Sequence, residues 1–133
     1  MDHTFMIMGT TLIIHLPSEL DHHSSEQIRK EADRLIQSRN IRCVLFDFEQ
    51  TTFMDSSGIG MLIGRYKMMR FLGGAVLAVQ VNERMQRILT MAGIYKIMDI
   101  YEGLPQEYER RAGTDPFQMH KTVSDGECPL EQE

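Results

Sequence analysis

Two short apolar runs, separated by a segment of helical periodicity, set the strongest limit on how this 133-residue chain can fold. The runs are residues 43–48 (CVLFDF) and residues 75–81 (AVLAVQV), and each is almost continuously apolar. Strands that are covered on both faces have this pattern, which is typical of parallel sheets. Because strands and helices alternate along the chain, we expect an α/β fold. Its largely parallel sheet should have four to five strands, flanked by about four helices.

The remaining elements are predicted from turn and capping signals. Gly9 can supply a tight hairpin turn, and Ser24 with Gln27 has the form of a capping box for the first helix. Asn82 is a favourable N-cap for the third helix, and Pro105 can open a short helix. The expected strands are 5–8, 11–16, 43–48, 75–81 and 97–100, and the expected helices are 24–39, 56–72, 83–92 and 105–111.

Composition divides the chain into one domain at residues 1–112 and an acidic tail at residues 113–133. An apolar content of 42% suits a single globular domain. Residues 1–102 hold 12 acidic and 11 basic residues, whereas residues 103–133 hold 7 and 3, so the C-terminal part carries most of the net charge of −5. The tail is rich in Gly, Pro, Ser, Asp, Glu and Gln, which cannot bury a core, and we expect it to be disordered.

Charge, hydropathy and cysteine content argue against several classes of protein. No basic face stands out, so neither nucleic acid nor an anionic membrane is an expected partner. No run approaches the ~18 apolar residues of a membrane span, and the N-terminus lacks the pattern of a secretory signal. Cys43 and Cys128 make no disulfide framework, and we interpret both as free thiols of a reducing compartment. The expected localisation is therefore cytoplasmic.

Residues 54–67 (MDSSGIGMLIGRYK) carry the strongest functional signal. They place Asp55, Ser56 and Ser57 at the start of a helix, shortly after a buried strand. Helix capping explains one such residue but hardly all three. Function in parallel sheets concentrates beyond the carboxyl ends of the strands. If the strands before loops 18–23 and 49–57 are parallel, Asp21 and Ser56 lie at the same edge of the sheet.

A helical wheel divides the second helix into two faces. The face expected to pack on the sheet contains Ile59, Leu62, Ile63, Tyr66 and Met69. The opposite face contains Ser57, Gly60, Met61, Gly64, Met68 and Phe71. Glycines inside a helix cost about 1 kcal/mol each relative to alanine, and small residues beside methionines suit close approach by another chain. Two interpretations stay open: a partner protein binds this face, or a neighbouring helix of the same domain covers it.

Catalytic and ligand-binding interpretations fit the sequence less well. The glycines of residues 58–64 follow a seven-residue loop, whereas a dinucleotide fingerprint begins directly after its strand. Residues 56–58 lack the Gly-x-Ser-x-Gly form of a nucleophile elbow. His22 and His23 are adjacent, so they cannot share a helix face as a metal-binding pair does, and we interpret them as solvated loop residues. We expect no catalytic group, cofactor or metal site.

Three segments together resemble the STAS domain of anti-sigma factor antagonists, most of all those that act in sporulation through sigma factor F. The segments are residues 20–23 (LDHH), 54–67 and 91–97 (MAGIYKI), and the likeness covers about residues 3–102 in matching order. It implies a mixed sheet flanked by helices. Two departures stand out: Pro17 and Ser18 replace a glycine-containing turn, and the tail after Gly113 has no counterpart.

The resemblance also implies a cycle run by two partners. The unphosphorylated antagonist binds the anti-sigma factor, an ATP-binding serine kinase, which then releases its sigma factor. The kinase phosphorylates the first serine of the Asp-Ser-Ser motif, here Ser56, and so inactivates the antagonist until a serine phosphatase removes the phosphate. Asp21 matches an aspartate that helps to engage the kinase, and Asp55 precedes the acceptor. With the exposed face of the second helix, the expected partner-binding residues are Asp21, Asp55, Ser57, Gly60, Met61 and Gly64.

Two alternatives to this function remain. The first is a STAS scaffold of a stress-signalling complex, whose serine is phosphorylated by a different kinase. The second, of another class, is a nucleotide-binding or nucleotide-hydrolysing protein in which the helix N-terminus at Ser56 holds phosphate. The second alternative is weakened because the glycines are not followed by a Walker lysine and no carboxylate pair for a metal is evident.

Overall fold

The computed structural model describes residues 4–104. In chain order the elements are β1 (Phe5–Met8), β2 (Thr11–His15), β3 (Glu19–Leu20), α1 (His22–Ser38), β4 (Cys43–Asp47), β5 (Phe53–Met54), α2 (Ser56–Phe71), β6 (Ala75–Val79), α3 (Glu83–Met91), a 3-10 turn (Ile94–Lys96) and β7 (Asp99–Ile100). The described residues thus contain three of the roughly four expected helices. The predicted helix at 105–111, the domain boundary at 112 and the tail at 113–133 lie outside the described residues.

The main sheet has five strands in the order β1-β2-β4-β6-β7. Strands β1 and β2 form an antiparallel hairpin, and every other neighbouring pair is parallel. Gly9 turns this hairpin with a φ of +63°, a left-handed conformation that glycine adopts without steric cost. The expected mixed, largely parallel sheet is therefore confirmed.

The two faces of the sheet bury different side chains. Alternate residues of β4 point to opposite sides: Val44 and Phe46 join the main core with the helices, whereas Leu45 joins a second, smaller cluster. The second cluster also contains Ile13, Leu77 and Val79. Strand β4 is thus buried on both sides, which explains why its sequence is nearly continuously apolar. Within residues 4–104, we find no helix of the length and apolar character that crossing a membrane requires.

Helix α2 is rotated about its axis relative to the prediction. Its buried residues are Gly58, Met61, Leu62, Arg65 and Met69. Ile59, Ile63 and Tyr66, expected at the centre of the packed face, are only half-buried at its margin. Helix α2 packs against helix α1 as well as against the sheet, and α1 covers the Met61 side. Met61 is only 4% exposed, and its predicted place on an exposed face is wrong.

An ion pair between the two helices accounts for the buried arginine. The Nε atom of Arg65 lies 3.0 Å from Oδ1 of Asp33 on α1, and the arginine side chain is only 8% exposed. Burial lowers the pKa of the Arg65 guanidinium, and the nearby Asp33 carboxylate opposes that effect. Removing one partner of such a pair leaves an uncompensated charge at the helix interface. A wheel that sorts residues by hydropathy cannot find this contact, because it places arginine on the solvent side.

Cys43 also differs from the sequence interpretation. It begins β4, is completely buried, and is disulfide-bonded rather than a free thiol. Its position in an apolar strand predicts burial correctly, but burial alone does not decide the redox state of a cysteine.

A two-stranded parallel ladder, β3 with β5, lies apart from the main sheet and was not predicted. Helix α2 approaches this ladder very closely at Gly58. A Cβ atom on Gly58 would lie 2.7 Å from Cγ of Met54 and 3.0 Å from Cδ2 of Leu20. The first distance is shorter than real Cβ contacts and the second is at their lower end, so any larger residue here would displace the Met54 and Leu20 side chains on which the first turn of α2 rests.

Gly58→Ala is expected to lower the free energy of unfolding by about 1–2 kcal/mol, because overpacking outweighs the better helix propensity of alanine. Gly60→Ala is the matched control, since a Cβ there meets nothing within 4 Å. The control should raise stability by up to about 1 kcal/mol. Urea denaturation of both variants measures the difference, and equal stabilisation by the two alanines would contradict the close approach at Gly58.

Candidate functional site

The β3–β5 ladder holds the two predicted functional loops against each other. Glu19 pairs with Phe53 and Leu20 with Met54. The backbone carbonyl of Leu20 also accepts a hydrogen bond of 3.3 Å from the backbone N–H of Asp55. Because β2 and β4 are parallel as well, the loops leave the same edge of the main sheet, as the sequence predicts. The ladder then places the start of α1 beside the start of α2.

Asp21 is the N-cap of α1. Its Oδ1 accepts a 3.0 Å hydrogen bond from the backbone N–H of Ser24, and the Asp21 backbone N–H donates to Oγ of Ser24 over 3.1 Å. The two residues form a capping box, so the predicted box of Ser24 with Gln27 is wrong by three residues. Hydrogen bonds from the Ser24 backbone and hydroxyl lower the pKa of the Asp21 carboxyl. Asp21 is therefore a fixed, ionised carboxylate at neutral pH.

Asp55 caps α2 in the same manner. Its Oδ1 accepts hydrogen bonds from the backbone N–H groups of Ser57, at 2.9 Å, and Gly58, at 3.3 Å. Asp55 is thus the one residue of the Asp-Ser-Ser motif that capping explains. Neither α1 nor α2 has an acidic residue in its first turn, so each positive helix terminus is balanced only by its capping aspartate.

The two serines of the motif have different surroundings. Ser56, the first residue of α2, is exposed, and its hydroxyl makes no hydrogen bond to any residue that the structure describes. Ser57 is half-buried, and its Oγ lies 3.2 Å from Nδ1 of His22. His22 and His23 are exposed, as predicted, but they lie in the first turn of α1 rather than in a loop. Recognising Asp21 as the N-cap would have placed His22 at the helix start, beside the neighbouring loop.

The predicted partner-binding glycines remain accessible along α2. Gly60 is exposed and Gly64 is half-buried, and a Cβ atom on either would meet no atom within 4 Å. The sequence left two interpretations open, a bound partner or a covering helix of the same domain. Helix α1 covers the Met61 side, whereas no part of residues 4–104 covers the glycine side. The structure thus joins Asp21, Asp55 and the serines at the helix starts and leaves the glycines open beyond them.

A second polar cluster ties together the carboxyl ends of three strands. The Asp47 carboxylate pairs with Nδ1 of His15 at 2.9 Å and accepts a 2.9 Å hydrogen bond from Nε2 of Gln80. The backbone N–H of Glu49 donates a third bond of 3.0 Å. These residues lie at or just after the ends of β2, β4 and β6. Among residues 4–104, we find no group of three or more His, Cys, Asp or Glu side chains that could hold a metal ion.

Comparison with known proteins identifies a family and relatives of the same fold. The family model described as the STAS domain matches residues 6–106. The anti-sigma F factor antagonist of Paenibacillus polymyxa is 42% identical over 91 residues, which are 68% of this chain and 78% of that protein.

Two solved structures of SpoIIAA have the same fold. The anti-sigma factor antagonist SpoIIAA in its unphosphorylated form superposes with a TM-score of 0.65 and 26% identity, covering 84% of this chain and 99% of that one. The Bacillus cell fate determinant SpoIIAA in the phosphorylated form gives 0.64 and 29%, covering 81% and 98%. The chain therefore belongs to the STAS-domain family of anti-sigma factor antagonists.

Proposed function

We propose that this chain is an anti-sigma factor antagonist controlled by phosphorylation of Ser56. In the unphosphorylated form it binds an anti-sigma factor that is an ATP-binding serine kinase, and this binding frees the sigma factor. The kinase transfers phosphate to Ser56 and thereby ends the binding, and a serine phosphatase restores the active form. The name of the Paenibacillus polymyxa relative points to sigma factor F as the factor that is freed.

The observation that carries this proposal is the state of the Ser56 hydroxyl. It is exposed, it makes no hydrogen bond to a described residue, and it stands at the first residue of α2. A kinase can therefore reach it without first breaking a contact within the domain. The related SpoIIAA is known in both an unphosphorylated and a phosphorylated form, which supports control of this chain by phosphorylation.

Electrostatics explains how phosphate could act without refolding the protein. A phosphate group adds about −1.5 to −2 charge at pH 7. At the start of α2 the positive end of the helix dipole favours that charge, so the antagonist itself tolerates it. A partner surface suited to the capping carboxylates of Asp21 and Asp55 meets two further negative charges beside them. Repulsion and desolvation then weaken the complex.

The proposed partner surface runs from the two caps along the open side of α2. It comprises Asp21, Asp55, Ser57, Gly60 and Gly64. The carboxylates supply charge at one end, and the glycines allow another chain to approach the helix backbone at the other. Met61 is not part of this surface because it is buried.

This function makes the chain a binding module and a phosphorylation substrate, with no catalytic group and no cofactor of its own. The nucleotide belongs to the kinase, as ATP before the transfer and ADP after it. We propose a cytoplasmic localisation because a protein that acts on a sigma factor works where transcription takes place.

Ser56→Ala should bind the anti-sigma kinase but take up almost no phosphate, whereas Ser57→Ala should bind and still be phosphorylated. The reason is that, of these two serine hydroxyls, only that of Ser56 makes no hydrogen bond to a described residue. Mass spectrometry after incubation with the anti-sigma F factor of Paenibacillus polymyxa and ATP identifies the modified residue. Phosphate found mainly on Ser57 of the unaltered protein would contradict the assignment.

Gly64→Leu should reduce kinase affinity at least tenfold while the thermal midpoint stays within a few degrees, because its side chain projects from the open side of α2. Gln37→Leu is the control: it adds the same apolar side chain at an exposed position near the end of α1. Isothermal titration calorimetry measures both affinities. Unchanged binding by Gly64→Leu would remove this part of α2 from the interface.

A further inference from the structure

His22 connects the first turn of α1 to the first turn of α2. Its Nδ1 atom lies 3.2 Å from Oγ of Ser57, a residue 35 positions later in the chain. The β3–β5 ladder makes this contact possible because it fixes the two helix starts side by side. The contact is on the surface, next to the exposed Ser56.

The hydrogen bond holds the Ser57 hydroxyl whichever ring tautomer is present. If Nδ1 carries the proton, it donates to a lone pair of the Ser57 oxygen. If Nδ1 is bare, the Ser57 hydroxyl donates its own proton to the ring. In both cases the ring engages the Ser57 oxygen, through a lone pair or through its proton, whereas the neighbouring Ser56 hydroxyl has no such restraint.

Phosphoryl transfer needs a hydroxyl that can turn toward its donor. In the transfer, the serine Oγ attacks the γ-phosphorus of ATP, the bond from that phosphorus to the β,γ-bridging oxygen breaks, and ADP leaves. The hydroxyl proton passes to a base of the kinase. A hydroxyl already engaged by a ring nitrogen must give up that bond before it can react, which lowers its rate relative to a free neighbour.

We propose that His22 is a specificity-determining residue of the phosphorylation site, which directs phosphate to Ser56 by engaging the hydroxyl of Ser57. This inference rests on the proposed function, because it presumes a kinase that acts at the start of α2. It goes beyond that function in giving a reason why one of two adjacent serines is chosen. His22 itself remains a positioning residue, since it touches Ser57 and not the reacting atoms.

The chain supplies a matched control in His23. This residue is also an exposed histidine in the first turn of α1, yet it makes no hydrogen bond to a residue that the structure describes. His22→Asn is a conservative variant, because an asparagine amide can take the place of Nδ1 as a hydrogen-bond partner of Ser57.

The experiment compares the ratio of phosphate on Ser57 to phosphate on Ser56 in the unaltered protein, His22→Ala, His22→Asn and His23→Ala. Each is incubated with the anti-sigma F factor of Paenibacillus polymyxa and ATP, and phosphopeptides are quantified by mass spectrometry. His22→Ala should raise the ratio about two- to tenfold, the effect of one net hydrogen bond. His22→Asn and His23→Ala should leave it unchanged. A loss of fold or of affinity slows both serines together and does not move the ratio.

The outcomes separate the two proposals. If the unaltered protein takes up no phosphate on either serine, the proposed function fails. If Ser56 is phosphorylated but the ratio is the same in His22→Ala, or rises equally in His23→Ala, the role of His22 is overturned. A measurement without kinase tests the contact between His22 and Ser57 directly. Ser57→Ala should shift the ring nitrogen resonances of His22 and leave those of His23 in place. Unshifted His22 resonances would overturn the contact.

Discussion

The site depends on a parallel ladder of only two residues in each strand. Strands β3 and β5 are too short to contribute much stability, but they join the loop after β2 to the loop after β4. Each strand runs directly into a helix whose N-cap is an aspartate. The ladder therefore fixes the distance between two helix starts, and the contact between His22 and Ser57 follows from it.

Close packing holds the helices to this ladder. Gly58 lets the first turn of α2 rest on Leu20 and Met54, at distances where an added Cβ atom would displace their side chains. Farther along, α2 is held to α1 by the buried pair of Arg65 and Asp33. The surface at the helix starts is thus supported by the ladder below it and by the packing of α1 against α2. This support is the basis for proposing that phosphate acts on the bound partner rather than by refolding the domain.

The sequence predicts the sheet well because each strand is defined by its own residues. The apolar runs, the Gly9 turn and the Asn82 cap, which accepts a 2.8 Å bond from the Met85 backbone, are all local signals. The placement of Asp21 and Ser56 at one edge follows from the parallel order alone. The proposal that Ser56 accepts the phosphate comes from the resemblance to STAS antagonists, because the local sequence does not distinguish Ser56 from Ser57.

The sequence fails where a residue's role depends on a distant partner. Arg65 is buried and paired with Asp33 on another helix, and Met61 is buried on the same helix. His22 is interpreted as a solvated loop residue because nothing near it in sequence reveals Ser57. The ladder itself is missed for the same reason, since two-residue strands have no periodicity. All three depend on tertiary packing.

The most direct test of the switch compares kinase affinity for the unmodified protein and for protein that carries phosphoserine at position 56, by isothermal titration calorimetry. Phosphate should weaken binding about a hundredfold, equivalent to about 3 kcal/mol. Amide spectra of the free protein should change only near the first turns of α1 and α2. Equal affinity of the two forms, or spectral changes spread across the main sheet, would contradict a switch that acts by charge at the interface.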